Sequence, residues 1–126
     1  MLKPGTSAYA EAFEHWVIVE IYRRLKYARL EFDLSYLLTK DGAKIDLILS
    51  NKAYPTILIE IKSSDRIHQG DVRPLRHFAN DFKPCQCYLF SRDPVAQSFD
   101  PNIQALPWEQ GISQLLKTEK LQGSDP

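Results

Sequence analysis

Apolar residues near the start of the chain recur at the spacing of one face of a helix. They stand three and four positions apart: Ala10, Phe13, Val17, Ile18, Ile21, Leu25 and Ala28. This period predicts an amphipathic helix that begins at Ser7 or Tyr9 and ends at about Tyr27. Glu14 falls inside the apolar stripe, so we expect its carboxylate to face inward.

Three strand patterns follow this helix. The segment Phe32–Thr39 is rich in aromatic and branched residues, and Lys40-Asp41-Gly42 then supplies the Asp-Gly signal of a tight hairpin. Ala43–Ser50 and Thr56–Ser63 have the composition of two further strands joined by a short loop. Because short connections join neighbouring strands, we expect an antiparallel meander.

The second half of the chain alternates between helical and strand patterns. Gln69–Asp81 has helical spacing with Pro74 in its first turn, and Cys85–Ser91 has the pattern of a buried strand. A crossover helix between two strands favours a parallel, right-handed pair. Beyond Arg92 the pattern weakens, and the last predicted elements are an edge strand at Ile103–Pro107 and a short helix at Trp108–Lys117.

The predicted fold is α/β, with an αβββαβ core and a central mixed sheet flanked by helices. The 126 residues fit a single domain with a core of about 7–117 and a frayed tail of 118–126. The chain has no long apolar stretch and no signal-peptide pattern at its start. Its two cysteines, Cys85 and Cys87, stand in an apolar run and indicate reduced core thiols, so we expect a cytoplasmic protein.

Two of the predicted strands carry charged residues where apolar residues are expected. Because side chains alternate along a strand, Glu60 and Lys62 share one face with Leu58. Asp46 likewise interrupts the apolar run from Ile45 to Leu49. An isolated buried charge costs on the order of several kcal/mol, so these side chains must be paired or bound to a metal ion.

The charge balance of these residues favours a cation. If Glu14, Asp46 and Glu60 converge, three carboxylates face one ammonium, that of Lys62. Hard oxygen ligands suit Mg²⁺ or Mn²⁺, and such a centre supports hydrolysis of a phosphodiester, with Lys62 orienting the attacking water or stabilising the developing charge. The structural alternative is an internal salt-bridge cluster of Lys62 with Glu60 and Asp46.

This constellation resembles the motif of the PD-(D/E)XK nuclease superfamily, in which an Asp, a spacer and (Asp/Glu)-x-Lys follow one another. Here it reads Asp46, thirteen residues, then Glu60-Ile61-Lys62. The resemblance implies a restriction-endonuclease-like fold with Asp46, Glu60 and Lys62 as catalytic residues. It further implies that Glu14, Asp46, Glu60 and the carbonyl oxygen of Ile61 hold the magnesium ion.

More narrowly, residues of roughly 5–116 resemble a C-terminal domain of unknown function that follows the ATPase module of many prokaryotic AAA-type ATPases. The segments that carry this resemblance are AYAEAFEHWVIVEI, LSYLLTKDGAKIDLIL, ILIEIKSS and ALPWEQGISQLL. Two positions depart from that pattern: Ala10 replaces a glycine, and Lys44 replaces an acidic residue. The given chain has no phosphate-binding loop, so the ATPase module that the resemblance implies is absent from it, and the chain is either a fragment of such a protein or a stand-alone relative of its C-terminal domain.

Composition limits how strongly the protein can attract nucleic acid. Sixteen basic residues balance sixteen acidic ones, so any contact with DNA must be local or assisted by a partner. The sequence thus favours a Mg²⁺-dependent, endonuclease-like domain acting on DNA. The alternative is a DNA-binding or protein-interaction module without catalysis that accompanies an AAA-type ATPase.

Overall fold

The computed structural model describes the backbone of residues 3–123 and the side chains of residues 3–117. Its helices and strands are α1 Ser7–Tyr27, β1 Asp33–Leu38, β2 Lys44–Asn51, β3 Tyr54–Ile61, α2 Arg73–Ala79, β4 Cys85–Ser91, β5 Gln97–Asp100, β6 Ile103–Pro107 and α3 Trp108–Gly123. Short 3₁₀ turns at Gln69–Val72 and Asn80–Phe82 flank α2. None of the helices in this part of the chain has the length and apolar character to cross a membrane.

The strands of residues 3–123 form one six-stranded mixed sheet in the order β1-β2-β3-β4-β6-β5. Strands β1, β2 and β3 are an antiparallel meander, as predicted. Strand β4 lies parallel to β3, which confirms the crossover through α2, and β6 lies parallel to β4. The C-terminal ends of β3, β4 and β6 therefore point to the same end of the sheet.

The prediction of an edge strand at Ile103–Pro107 is wrong. This segment is β6, which lies between β4 and β5, and the edge is β5, which the sequence did not indicate. Ile103 and Ala105 are buried, as suits an interior strand, whereas β5 has four residues that alternate between partial burial and exposure. The backbone of α3 also continues to Gly123 instead of ending at Lys117, and residues 124–126 of the predicted tail lie outside the described residues.

Two apolar layers cover the sheet. Helices α1 and α3 pack on one face, where Ile21, Ile59 and Phe90 are fully buried. Helix α2 covers the other face, where Leu58 and Leu75 are fully buried. Burial of one such side chain stabilises the fold by about 1.5–3 kcal/mol. The odd and even positions of β3 thus divide between the two layers, as the strand period predicts.

One close contact sets the distance between α3 and the sheet. A Cβ atom added at Gly111 would lie 2.4 Å from Cε1 of Phe90, so the helix approaches the ring only because position 111 has no side chain. Phe90 is fully buried. Its carbonyl oxygen also accepts a hydrogen bond from the backbone N–H of Lys62 at 2.9 Å. Phe90 therefore contacts α3 through its ring and the residue after β3 through its carbonyl oxygen.

The thiols of Cys85 and Cys87 are buried and unbridged, as the sequence indicated. Both lie in the layer under α2, and their Sγ atoms are 4.0 Å apart. The Cys85 Sγ donates a hydrogen bond to the carbonyl oxygen of Ala79 at 3.2 Å. Burial raises the pKa of Cys87 to about 12, which keeps that thiol protonated. These cysteines therefore serve packing.

Candidate active site

Strands β2 and β3 separate at one end, and two carboxylates occupy the gap. The backbone pairing ends at Leu47 and Ile59. Beyond that pair, Asp46 Oδ2 accepts a hydrogen bond from the N–H of Ile61 at 2.8 Å, and Glu60 Oε1 accepts one from the N–H of Asp46 at 3.2 Å. Side-chain oxygens thus replace the missing backbone partners. This exchange explains how two acidic residues are held at a buried position.

Helix α1 brings a third carboxylate, and β2 brings an ammonium group. Lys44 Nζ lies 3.1 Å from Asp46 Oδ1 and 3.8 Å from Glu14 Oε1. The sequence placed this neutralising role on Lys62, but Lys62 makes no ion pair within the described part of the chain. Lys44 and Asp46 are two positions apart in one strand and hence share a face, so the strand period contained this signal.

The carboxyl groups do not ionise independently. Burial, followed by the charge and the hydrogen bond of Asp46, raises the pKa of Glu60 to about 8. Burial and the neighbouring Asp46 likewise raise the pKa of Glu14 to about 7. Burial opposes ionisation of Asp46, but the neighbouring Glu14 and Glu60, the hydrogen bond from the N–H of Ile61 and the ammonium of Lys44 hold its pKa below the ordinary value. At neutral pH, Asp46 is the anion, Glu60 is mostly protonated and Glu14 is protonated about half of the time, so a bound cation would displace protons.

One oxygen of Asp46 lacks a hydrogen bond. Among the residues whose side chains the structure describes, Asp46 Oδ1 is the buried side-chain oxygen without a hydrogen-bond partner, and Lys44 Nζ contacts it only as an ion pair. The half-exposed ammonium of Lys44 offsets part of the cost of leaving this acceptor buried without a hydrogen bond. The oxygen is therefore a candidate ligand for a cation.

The carboxylate oxygens around Asp46 are the kind of ligand that a small divalent ion prefers. No three His, Cys, Asp or Glu side chains in the described ranges converge in the geometry of a complete metal site. Magnesium does not need such a cage, because it usually keeps several waters and binds through one or two carboxylates. Asp46 and Glu60 supply that number. The oxygen ligands fit Mg²⁺ or Mn²⁺ with water completing the coordination.

These carboxylates open into a cavity of about 680 Å³. The cavity brings together all five residues that the sequence singled out, namely Glu14, Asp46, Glu60, Ile61 and Lys62. The first residues of α1 also line it, as do Ser63, Ser64 and Arg92. The positive charge of Lys62 opposes, in part, the rise in the pKa of Glu60 that burial and Asp46 cause. The ammonium therefore interacts with the carboxylates through its charge, without forming an ion pair with them.

Sequence reasoning missed Arg92 and Asp93, which follow β4. Arg92 Nη1 donates to the carbonyl oxygen of Ser63 at 3.0 Å, and its backbone N–H donates to that of Ser64 at 3.1 Å. The buried Asp93 accepts the N–H of Ile67 at 2.8 Å and that of Val95 at 2.9 Å. No motif marks these residues, but residues at the C-terminal ends of adjacent parallel strands meet at one edge.

The stretch from Lys62 to Lys83 contains five cations that could contact a phosphate backbone, but of Lys62, Arg66, Arg73, Arg76 and Lys83 the cavity lining includes Lys62 alone. Arg76 lies on α2 and pairs with Asp100 at 2.9 Å. Helix α2 packs on the layer that contains Leu58 and Leu75. The cations of this segment therefore do not form one continuous surface beside the carboxylates.

The fold and the cavity define a mixed α/β domain with an acidic, lysine-bearing cleft at one end of its sheet. The chain belongs to the family described as Domain of unknown function (DUF4143), whose sequence pattern matches residues 9–110. No curated protein matches the chain significantly, and no solved structure does so. The match confirms that the chain is a domain of unknown function, whereas the association with an ATPase module and membership of the nuclease superfamily stay predictions.

Proposed function

We propose that this protein is a Mg²⁺-dependent phosphodiesterase of the PD-(D/E)XK type, with a restriction-endonuclease-like fold and DNA as its substrate. The observation that carries the proposal is the buried Asp46 Oδ1, which lacks a hydrogen bond beside Glu60 and Glu14. Its ion-pair partner, the ammonium of Lys44, is on a half-exposed side chain, so an incoming cation can displace it.

In this proposal Asp46 and Glu60 hold the ion, and Glu14 and the carbonyl oxygen of Ile61 are further ligands. The bound ion would supply charge stabilisation to the phosphoryl oxygens and lower the pKa of a water molecule. Asp46 stays anionic because the N–H of Ile61, the ammonium of Lys44 and the neighbouring carboxyl groups favour its charged form. Lys62, which has no ion pair among residues 3–117, is available to orient the attacking water and to stabilise charge on the phosphorane.

The cleavage assay compares wild-type protein with Asp46→Asn and Lys62→Met on supercoiled, linear duplex and single-stranded DNA and on RNA, each with Mg²⁺ and Mn²⁺. Matched controls are Asp33→Asn and Lys52→Met, which change exposed residues outside the cavity. Each cavity variant should lose about 100-fold or more in rate, whereas the controls should match wild type. Cleavage that survives both cavity substitutions would overturn the catalytic proposal.

A second candidate function rests on Lys44. Its ammonium already contacts both Asp46 and Glu14, which supports a charge cluster that is neutralised without a metal ion. The domain would then be a DNA-binding or protein-interaction module that accompanies an AAA-type ATPase. Calorimetric titration with Mn²⁺ separates the two candidates, because a saturable site that Asp46→Asn abolishes is expected only of the nuclease-like protein.

A further inference from the structure

Arg92 is fixed in the wall of the cavity by three contacts. Its Nη1 donates to the carbonyl oxygen of Ser63 at 3.0 Å, and its guanidinium carbon lies 5.5 Å from the centre of the Tyr9 ring. Its backbone N–H donates to the carbonyl oxygen of Ser64 at 3.1 Å. The side chain therefore spans from β4 to the loop after β3 and to α1. A long side chain held in this way has lost much of its rotamer freedom before any ligand binds.

The guanidinium has no carboxylate partner among the residues that the structure describes, although Glu11, Glu14 and Asp65 line the same cavity. One of its five N–H groups is used by the carbonyl oxygen of Ser63. The remaining donors keep the forked geometry that suits the two oxygens of a phosphate. The arginine is thus fixed by neutral groups and keeps its charge for an anion.

We propose that Arg92 binds a phosphate group of the nucleic-acid backbone adjacent to the scissile one. The inference rests on the proposed function and adds a binding residue to it. Arg92 and the carboxylates Asp46 and Glu60 line the same cavity, so a strand whose scissile phosphodiester lies at the carboxylates can bring a neighbouring phosphate to the guanidinium. Arg92 orients the strand and takes no part in proton transfer.

The kinetic test compares Arg92→Gln and Arg92→Lys with wild type. A contact that is equally strong in the ground state and the transition state changes KM and leaves kcat unchanged. We expect Arg92→Gln to raise KM by about 10- to 100-fold. Arg92→Lys, which keeps the charge and loses the fork, should raise it less. The matched control is Arg76→Gln. Arg76 lies on α2, pairs with Asp100 of β5 and does not line the cavity. An unchanged KM for Arg92→Gln, or a fall in kcat alone, would overturn the assignment.

A second measurement decides the matter if the wild-type protein cleaves nothing. The Nε–H resonance of Arg92, assigned by its loss in Arg92→Gln, is followed while the dinucleotide thymidylyl-thymidine or inorganic phosphate is added. A saturable shift supports the phosphate site even where the proposed hydrolysis fails. A resonance that does not move with either probe rejects the site, whatever the cleavage assay shows. Circular dichroism and thermal unfolding of each variant exclude misfolding as the cause.

Discussion

The side chains of Asp46 and Glu60 each bind the backbone at the point where β2 and β3 separate. Asp46 Oδ2 accepts from the N–H of Ile61 at 2.8 Å, and Glu60 Oε1 accepts from the N–H of Asp46 at 3.2 Å. Alanine at either position would leave a buried N–H without an acceptor, at a cost of about 1–3 kcal/mol. Amide substitutions keep an acceptor oxygen and remove the charge, so Asp46→Asn and Glu60→Gln separate charge from folding.

Stability should fall as the pH rises through the neutral range. The pKa of Glu14 is about 7 and that of Glu60 about 8, against an ordinary value of 4.5, so the folded protein keeps protons that the unfolded chain has released. The free energy of unfolding should therefore decrease from pH 4.5 to about 8 and then level off. Asp46 and Asp93 act in the opposite direction and at lower pH, because their pKa values lie below the ordinary 3.8.

Urea unfolding at several pH values across this window measures how steeply the free energy of unfolding falls with pH. Glu60→Gln should reduce this pH dependence, because the amide does not titrate and Glu14 alone then remains in the window. Asp33→Asn should leave the pH dependence unchanged. A slope of equal size in Glu60→Gln and wild type would contradict the assignment of the proton to Glu60. With Mn²⁺ present, affinity should rise with pH over the same window, because the ion and the protons compete for the same oxygens.

Removal of Lys44 should strengthen metal binding. Its ammonium lies 3.1 Å from the Asp46 oxygen that a cation would use, and its side chain is 54% exposed. Because solvent screens this half-exposed ammonium, the pair contributes about 1 kcal/mol at most, so Lys44→Gln should bind Mn²⁺ up to about 5-fold more tightly. Titration calorimetry measures the change, with Lys52→Gln as the control for loss of an exposed lysine. Unchanged or weaker binding would mean that Lys44 is not a competitor of the ion.

Removal of Asp93 should loosen the loop that follows Lys62. Its carboxylate accepts the N–H of Ile67 and the N–H of Val95, so Asp93→Ala leaves two donors without their partner. We expect a loss of about 1–3 kcal/mol in the free energy of unfolding, and a smaller loss for Asp93→Asn, which keeps one acceptor. Hydrogen exchange at the Ile67 amide should accelerate in the alanine variant. Exchange as slow as in wild type would show that other contacts hold this loop.

A methyl group at Gly111 should destabilise the protein despite the higher helix propensity of alanine. The gain in propensity is about 1 kcal/mol, whereas forcing extra volume into a packed core costs about 1–3 kcal/mol. The new Cβ would lie 2.4 Å from the ring of the fully buried Phe90. Thermal unfolding should show a lower Tm for Gly111→Ala, partly recovered when Phe90→Leu is added. An unchanged Tm would mean that α3 moves away at little cost.

Helix α1 and strand β4 were predictable because apolar residues recur along each of them at the spacing of a helix face or fill the whole of a buried strand. Helix α1 was predicted over its full length, and β4 was predicted to the residue. The order of the last strands was not predictable, because β5 has four residues and alternation along one strand does not identify its neighbour. The burial of most residues of β6 follows from its position between β4 and β5.

The candidate site was predictable where charge contradicts an apolar strand, which is the case for Asp46 and Glu60. The neutralising partner was not, because both Lys44 and Lys62 stand near these acids in sequence and the choice depends on where each side chain extends. Arg92 carries no sequence signal, since it follows an ordinary buried strand. Its role depends on Ser63 and Tyr9, which are distant in the chain and meet it only in the folded protein.

The turn Asn51–Tyr54 lies at the far end of β2 and β3 from the carboxylates. Lys52 in this turn is exposed, and the two native thiols are buried. A single substitution, Lys52→Cys, therefore creates one accessible thiol for a fluorophore or a surface tether. Immobilised in that way, the domain would present its cavity to solution, so ion and oligonucleotide binding could be followed without obstructing the cleft.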